Sequence, residues 1–472
     1  MSGMLRAINE NRVSIIFLLK KKVSKKKENT SLKKILISLA IIVIFATHSH
    51  AGNVQTFGIG ARSTAQGEAV VAHANDPFAV YYNPAGLTLI KQKVVTTGIM
   101  VYDAKVKVTN FSVTSSHPAV GGVDFNTGPT NFESNGDLLF NPNLGFAMPI
   151  NDRLTFGIAA YAPYGLHVKW DTDYTRNPGA LYCWESKYIR EVITPGLGYQ
   201  LSDNLSVGFS VSLGRSVSET GKTFPPNPAT GDPVTELKLD AEDSFNYSFN
   251  VGVMYRPVDA LSFGLTYRSR SNAEFDGDVL INGTKISPVT MDYAHPECIQ
   301  GGSRYFVNED LSVEFDMLWT RWSILEKQVE KSPVAPGGKF SHDRDWDDTI
   351  QYKLGLQWQA MDSLAIRSGY SYDPTPVPTD TFDFGWPDTD RNVFSLGFGW
   401  AINEQWTIDG VIQHVRSTST RHINGDSNAL NQVYGDLASA AMGGALPADT
   451  VVVSMGDKGI LWGYGLNVSY NF

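Results

Sequence analysis

The residues best placed to do chemistry in this chain are cations with no catalytic partner in sight. Arg190, Arg256, Arg268, Lys353 and Arg367 each fall on the small or polar side of a segment whose other side is apolar. Residues of one parity share one face of a strand, so these five are expected to point into a common interior. A guanidinium or ammonium held there can pair with a carboxylate, and arginine can do so bidentately. The bland alternative is an ordinary interior charge balanced by acids such as Glu314 and Asp316. Phe57, Phe78 and Met254 are apolar candidates for lining the same site. Bond-making chemistry is not indicated. His73, His167, His295, His342, His414 and His422 are scattered, and neither HExxH nor a CxxC pair occurs. The sequence therefore implies no enzyme, no metal centre and no cofactor. Cys183 and Cys298 allow one disulfide or two unpaired thiols.

These candidates need elements to position them, and the sequence supplies strands. Ile460, Trp462, Tyr464, Leu466, Val468, Tyr470 and Phe472 alternate with Leu461, Gly463, Gly465, Asn467, Ser469 and Asn471. The same period-2 pattern runs through Phe394 to Ile402 and through Leu205 to Leu213, which means one apolar face and one small or polar face. A turn recurs at roughly 40–55-residue intervals: Asn151-Asp-Arg-Leu, Ser202-Asp-Asn-Leu, Val258-Asp-Ala-Leu, Asn308-Glu-Asp-Leu, Met361-Asp-Ser-Leu and Asn403-Glu-Gln-Trp. Six short turns joining seven long-looped hairpins predict fourteen strands. The long connections, Ser115–Gly136, Asp171–Ser186, Glu219–Glu242, Ser332–Trp346, Asp373–Pro387 and Arg421–Gly456, are polar. Tight turns at one end and long loops at the other are the asymmetry of a membrane β-barrel. Trp319, Trp322, Trp358, Trp400, Trp406 and Trp462 suit its interfacial girdles. A soluble sandwich or propeller fits these features less well.

The N-terminus reads as export machinery. Lys33-Lys34 precedes the apolar run Ile35 to Ala46, and Ser49 and Ala51 fit the small-residue rule for cleavage before Gly52. Residues 1–51 form an N-terminal extension with this signal, and Val23 or Leu32 is a possible true start. The remainder carries 29 basic and 46 acidic residues, a net charge of −17, which argues against nucleic acid as a partner. After Gly52 no stretch approaches the ~20 apolar residues of a transmembrane helix. Residues 52–93 are rich in Gly and Ala and are expected to pack inside the barrel of residues 94–472 as a plug. Within it, Asn83-Pro84-Ala85 can make a rigid turn. A second copy, Asn227-Pro228-Ala229, reads as chance. Asp343, Asp345, Asp347 and Asp348 beside His342 and Arg344 are either a solvated loop or a place for divalent cations bridging to lipopolysaccharide.

Placed between the signal and the first strand, Asn83-Pro84-Ala85 resembles the hatch motif of the FadL-type long-chain fatty-acid transporters of the Gram-negative outer membrane. The resemblance continues in Trp319-Thr-Arg-Trp-Ser323, Trp346-Asp-Asp-Thr349, Ser368-Gly-Tyr-Ser-Tyr-Asp-Pro374 and Pro387-Asp-Thr-Asp-Arg391, and it covers the chain from Gly52 onward. It implies a fourteen-stranded antiparallel barrel with an N-terminal hatch in the lumen, working as a monomer without ATP or cofactor. Substrate would be caught outside, pass to an inner pocket and leave sideways through an inward kink in the third strand. That strand is expected at Leu154 to Trp170, and Pro163-Tyr164-Gly165 breaks its alternation. Proline removes a ladder donor there and glycine weakens pairing; an ordinary bulge is the alternative. The cargo would be a long-chain fatty acid or related hydrophobic compound. Aromatic or aliphatic hydrocarbons are a second possibility, and a surface receptor or adhesin with working loops is a third.

Overall fold

The computed structural model describes residues 55–118, 124–126, 128–135, 138–226, 233–442 and 447–472. The expected signal and N-terminal extension, and Asn227-Pro228-Ala229, lie outside these residues.

The alternation seen in the sequence builds a closed antiparallel wall of fourteen strands. They are β1 (Val94–Ser115), β2 (Leu138–Pro149), β3 (Leu154–Lys169), β4 (Glu185–Ser202), β5 (Leu205–Phe224) and β6 (Thr235–Val258). Then come β7 (Leu261–Arg268, resuming as Ser271–Ile281), β8 (Thr284–His295, resuming as Cys298–Phe306), β9 (Leu311–Thr320, extended by Lys327–Lys331) and β10 (Thr349–Met361). The last four are β11 (Leu364–Asp373), β12 (Arg391–Ala401), β13 (Trp406–Ser417) and β14 (Val451–Asn471). Each strand pairs with the next, and β14 closes on β1 with Val94 opposite Asn471. All six expected turns join the strands they were expected to join. Parity sets the two faces: Leu466 is 50% exposed while its neighbour Asn467 is 2% exposed. No helix among the described residues is long and apolar enough to cross a membrane.

The opposite end departs from expectation in three places. Residues 219–242 are not mainly loop, because β5 and β6 stay paired from Leu205–Tyr255 up to Phe224–Thr235. Between β7 and β8 the chain turns tightly at Asn282-Gly283, both at positive φ, which an Asn-Gly pair readily adopts. Residues 421–456 hold a short strand, Arg421–Asn424, and helix α1 (Asn428–Ala441), capped by the Ser427 side chain. Trp322 does not join a girdle. It is 1% exposed and packs edge-on against Trp346 in a loop core with Phe111, Trp170, Phe382, Phe384 and Trp386.

Residues 55–90 are mostly buried against the inward faces of the strands. Their short helices leave many amide and carbonyl groups unpaired, and inward side chains supply the partners. The Asp316 carboxylate accepts from the Val70 and Val71 N–H groups at 3.0 and 3.1 Å, and Glu314 accepts from Ala72 at 2.6 Å. Ser210 donates to the Val80 carbonyl, Ser262 to Ala72 and Ser371 to Gly67. Asp316→Ala should therefore leave the folded barrel intact while hydrogen exchange at Val70 and Val71 rises about three- to tenfold, since each N–H loses a bond worth roughly 0.5–1.5 kcal/mol. Mass-spectrometric exchange on the purified barrel reads this directly; unchanged protection would show that Asp316 does not hold the segment.

Candidate functional site

Asn83-Pro84-Ala85 lies where two strands come closest to the inner segment. The Asn83 amide donates to the carbonyls of Val71 and Val253 at 2.7 and 3.1 Å, and its side-chain oxygen accepts from Ala85 N–H at 3.1 Å. Asn83 thus caps the turn Pro84–Leu89 and ties it to β6. Glycines make the approach possible: a Cβ on Gly252 would stand 2.0 Å from the Asn83 oxygen, and one on Gly208 would stand 2.2 Å from Pro84.

The wall itself is interrupted at β3. β2 pairs with β1 over Leu138–Ala147, but with β3 only from Leu144–Ala160 to Pro149–Thr155. Beyond Ala160 the β2–β3 ladder stops. A proline stands on each side of the break, Pro142 in β2 and Pro163 in β3, and neither has an N–H to give. On its other edge β3 bulges: Ala162 and Pro163 fall between the pairs Tyr161–Val192 and Tyr164–Arg190. The freed carbonyls find substitutes. Thr56 donates its N–H to Pro163 O at 3.2 Å and its hydroxyl to Ala162 O at 3.1 Å, and Gln55 forms a bridge with Tyr164. Of the expected kink, Pro163 and Tyr164 stand at the bulge and Gly165 follows it. Beside the break lies a cavity of 630 Å³, lined by Leu139, Tyr161 and Val192 on the inward face and by Phe140, Ala160, Ile189, Ile193, Leu213 and Phe245 on the outward face.

The five candidate cations fall into three groups. Lys353 pairs with Glu68 at 3.3 Å and Arg367 with Asp409 at 2.6 Å. Arg256 lies at the β6–β7 turn, partly exposed, and donates to the Asp259 carbonyl. Arg190 and Arg268 differ from these. Arg190 is 3% exposed and, among the described residues, donates to the neutral side chains of Asn246, Ser248 and Ser271; Asp243 is reached through Asn246. Arg268 donates to Cys298 Sγ at 3.1 Å and stacks 4.2 Å from the centre of the Tyr81 ring. Both line a small cavity of 30 Å³ with Tyr161, Tyr164 and His295. That is room for about two waters or one carboxylate group. Tyr161 also lines the 630 Å³ cavity. Both cysteines are buried and free. Met254 is buried on the inward face of β6, Phe78 packs in the apolar core of the inner segment, and Phe57 meets Tyr102 edge-on beside Arg391. Pro142 and the pairing of Arg190 with Arg268 have no sequence signal beyond strand parity and the presence of a proline.

On the loop side, residues 374–390 turn back over the lumen and bury Phe382 and Phe384 completely. Arg344 meets Asp383 at 2.5 Å, and the Tyr182 hydroxyl donates to the same carboxylate. Burial works against ionisation of Asp383, but Arg344 outweighs it and holds the carboxyl below its ordinary value. Asp388 has the reverse balance: burial pushes it up to about 6 despite Arg391. Burial likewise pushes the Cys183 thiol up to about 12, so it is inert. The Asp343–Asp348 acids form no metal-holding group among the described residues.

A closed wall with an apolar exterior, a polar lumen and a buried inner segment is a membrane barrel of the transport class. A family model described as outer membrane protein transport protein (OMPP1/FadL/TodX) matches residues 42–472, and the chain belongs to that family. It is an outer-membrane transport protein of the Gram-negative type. The long-chain fatty acid transport protein of an Escherichia coli strain is 23% identical over 489 residues, covering 94% of this chain and 100% of that protein. A FadL homologue of Pseudomonas aeruginosa superposes with a TM-score of 0.72 at 17% identity, over 89% of this chain and 100% of the other. The Ralstonia pickettii toluene transporter TbuX does so at 0.62 and 16%, over 88% and 99%.

The Arg344–Asp383 pair makes a pH-dependent claim. A carboxyl lowered by folding stabilises above its unfolded pKa and loses that contribution as pH falls through the lower folded value. Asp383→Asn should weaken protection of residues 382–386 by about 3 kcal/mol at pH 7, because it strands a buried guanidinium. The deficit should shrink as the pH falls below the ordinary carboxylate range and Asp383 in the parent protein protonates. Limited proteolysis across this range checks it, and a deficit independent of pH would contradict it.

Proposed function

We propose that this protein takes long-chain fatty acids, or closely related amphiphiles with an acid group, across the outer membrane down their gradient and releases them sideways through the break between β2 and β3. The observation that carries this reading is that the buried guanidinium of Arg190 and the half-buried one of Arg268 have no carboxylate in contact among the described residues, next to a largely apolar cavity open at the wall. An acyl carboxylate between them would complete the charge, as a bidentate ion pair does in a dry site. Its chain would lie along Leu139, Ala160, Ile189 and Val192, consistent with an apolar pocket fixed by a few polar groups.

Residues 52–93 act as the hatch and residues 94–472 as the barrel. With Lys353, Glu314 and Asp316 engaged in fixing the hatch and Arg367 paired with Asp409 within the wall, the lumen need not open as a pore. Phe224, Leu237, Leu239 and Phe340, beside Lys222 and Arg344, form a groove of 150 Å³ among the loops where an amphiphile could first be held. The protein acts as a monomer, since the wall closes on itself, and it catalyses no reaction. Lipid and lipopolysaccharide surround it.

A hydrocarbon without a head group is the second reading. It is favoured by the apolar lining of the 630 Å³ cavity and by the likeness to a toluene transporter. The Arg190→Gln, Arg268→Gln double variant separates the two. Oleate affinity should fall about ten- to a hundredfold, the worth of charge-assisted bonds, and oleate-limited growth should slow in a strain lacking its own transporter. Uptake of toluene should be unchanged. Wild-type oleate affinity in the double variant would sink the carboxylate site and leave the hydrocarbon reading.

A further inference from the structure

The break in the wall is not left empty. β2 is held along one edge by its pairing with β1 through Leu138–Asp103 and Leu139–Tyr102, so only its other edge is free. There, continuing the Leu144–Ala160 register sets Asn141 opposite Pro163. The Asn141 side chain, 4% exposed, reaches back to the peptide groups of Ala162. Its Nδ2 donates to the Ala162 carbonyl at 3.0 Å, and its Oδ1 accepts from the Ala162 N–H at 3.2 Å. A side-chain amide has the donor and acceptor of a peptide group, so these two bonds imitate one rung of an antiparallel ladder. The Ala162 carbonyl takes a second bond from the Thr56 hydroxyl, so the wall and the inner segment meet at one residue.

We propose that Asn141 is the positioning residue that sets how far the wall opens: its amide replaces the backbone pairing that Pro142 and Pro163 interrupt. This rests on the sideways exit proposed above. A backbone rung is part of a continuous ladder and opens only with its neighbours. A side-chain rung opens by rotation about its own χ angles, a fast local motion that leaves the strands in place. Such a rung satisfies Ala162 in the closed wall, where an unpaired group facing lipid would be costly, and releases it without unzipping β2. The Thr56 bonds keep Ala162 and Pro163 partnered from the inner side when Asn141 swings away.

Three forms of the full-length protein in lipid vesicles test this. Asn141→Leu removes both bonds at similar volume. Asn141→Asp keeps the acceptor and loses the donor. Leu139→Cys with Gly165→Cys, joined by a short reducible bis-thiosulfonate linker, spans the gap, because a Cβ at residue 165 would stand 3.4 Å from the tip of the Leu139 side chain. Oleate affinity and the rate of oleate transfer into the bilayer are measured separately. Asn141→Leu should raise the transfer rate about tenfold, the worth of the lost bonds, with affinity unchanged within about twofold. Asn141→Asp should fall between it and the parent, which a merely structural role would not produce. The cross-linked pair should stop transfer until reduced. If the cross-link stops transfer but both Asn141 variants run at the parental rate, the role of Asn141 is overturned and the sideways exit stands. If the cross-linked protein transfers oleate normally, the exit itself is wrong and the proposal falls with it. Should Asn141→Leu fail to fold, the Asn141→Asp rate decides alone.

Discussion

In hydrocarbon every backbone N–H and C=O must find a partner within the protein, and a closed barrel meets this demand by pairing every strand on both edges. The break beyond Leu144 and Ala160 is the place where this wall departs from the rule, and much of the interior is arranged around it. Two prolines remove donors that could not be paired across the break. Asn141 and Thr56 bond the carbonyls that remain, one from the wall and one from within. The bulge in β3 turns Ala162 and Pro163 out of the β4 ladder, and pairing resumes at Tyr164–Arg190. The irregularity is therefore confined to a few residues, and the strands on either side keep their register.

The same logic of satisfied groups orders the charges of the lumen. Glu314, Asp316, Glu68 and Asp409 are consumed by backbone amides of the inner segment or by Arg304, Lys353 and Arg367. These contacts tie residues 66–72 to the wall. Arg190 and Arg268 stand outside this network, close to the break. A buried charge without a direct counter-charge is unfavourable, and here it lies beside the largest apolar cavity described. On the loop side Phe382, Phe384, Trp322, Trp346 and Trp386 pack in one apolar core beside the loop groove.

Much of the architecture was legible in the sequence because strand parity and turn chemistry are local. Alternation at residues 460–472 and the Asn151, Ser202, Asn308 and Asn403 turns gave strand count, register of the hairpins and the inward face. The Asn282-Gly283 turn carries the usual hairpin signal but stands outside the recurring set of six turns. Trp322 could not be placed by composition, since an interfacial and a buried tryptophan read alike until loops are folded together. Parity brought out all five candidate cations, but it could not tell which were neutralised. That depends on Glu68 and Asp409, far away in the chain. The break was legible at Pro163; its other half at Pro142, and the amide of Asn141, needed the two strands side by side.

The central claim is that cargo leaves through the wall. A fatty acid carrying a photoactivatable group near its terminal methyl, bound to the protein in vesicles and irradiated during transfer, reports the route by the residues it labels. The account predicts labelling at Ile193, Leu213 and Phe245, on the outer rim of the 630 Å³ cavity. Labelling instead at Asn75, Lys91 and Thr407, which line a separate 310 Å³ cavity beneath the inner segment, would show passage down the barrel axis and contradict it.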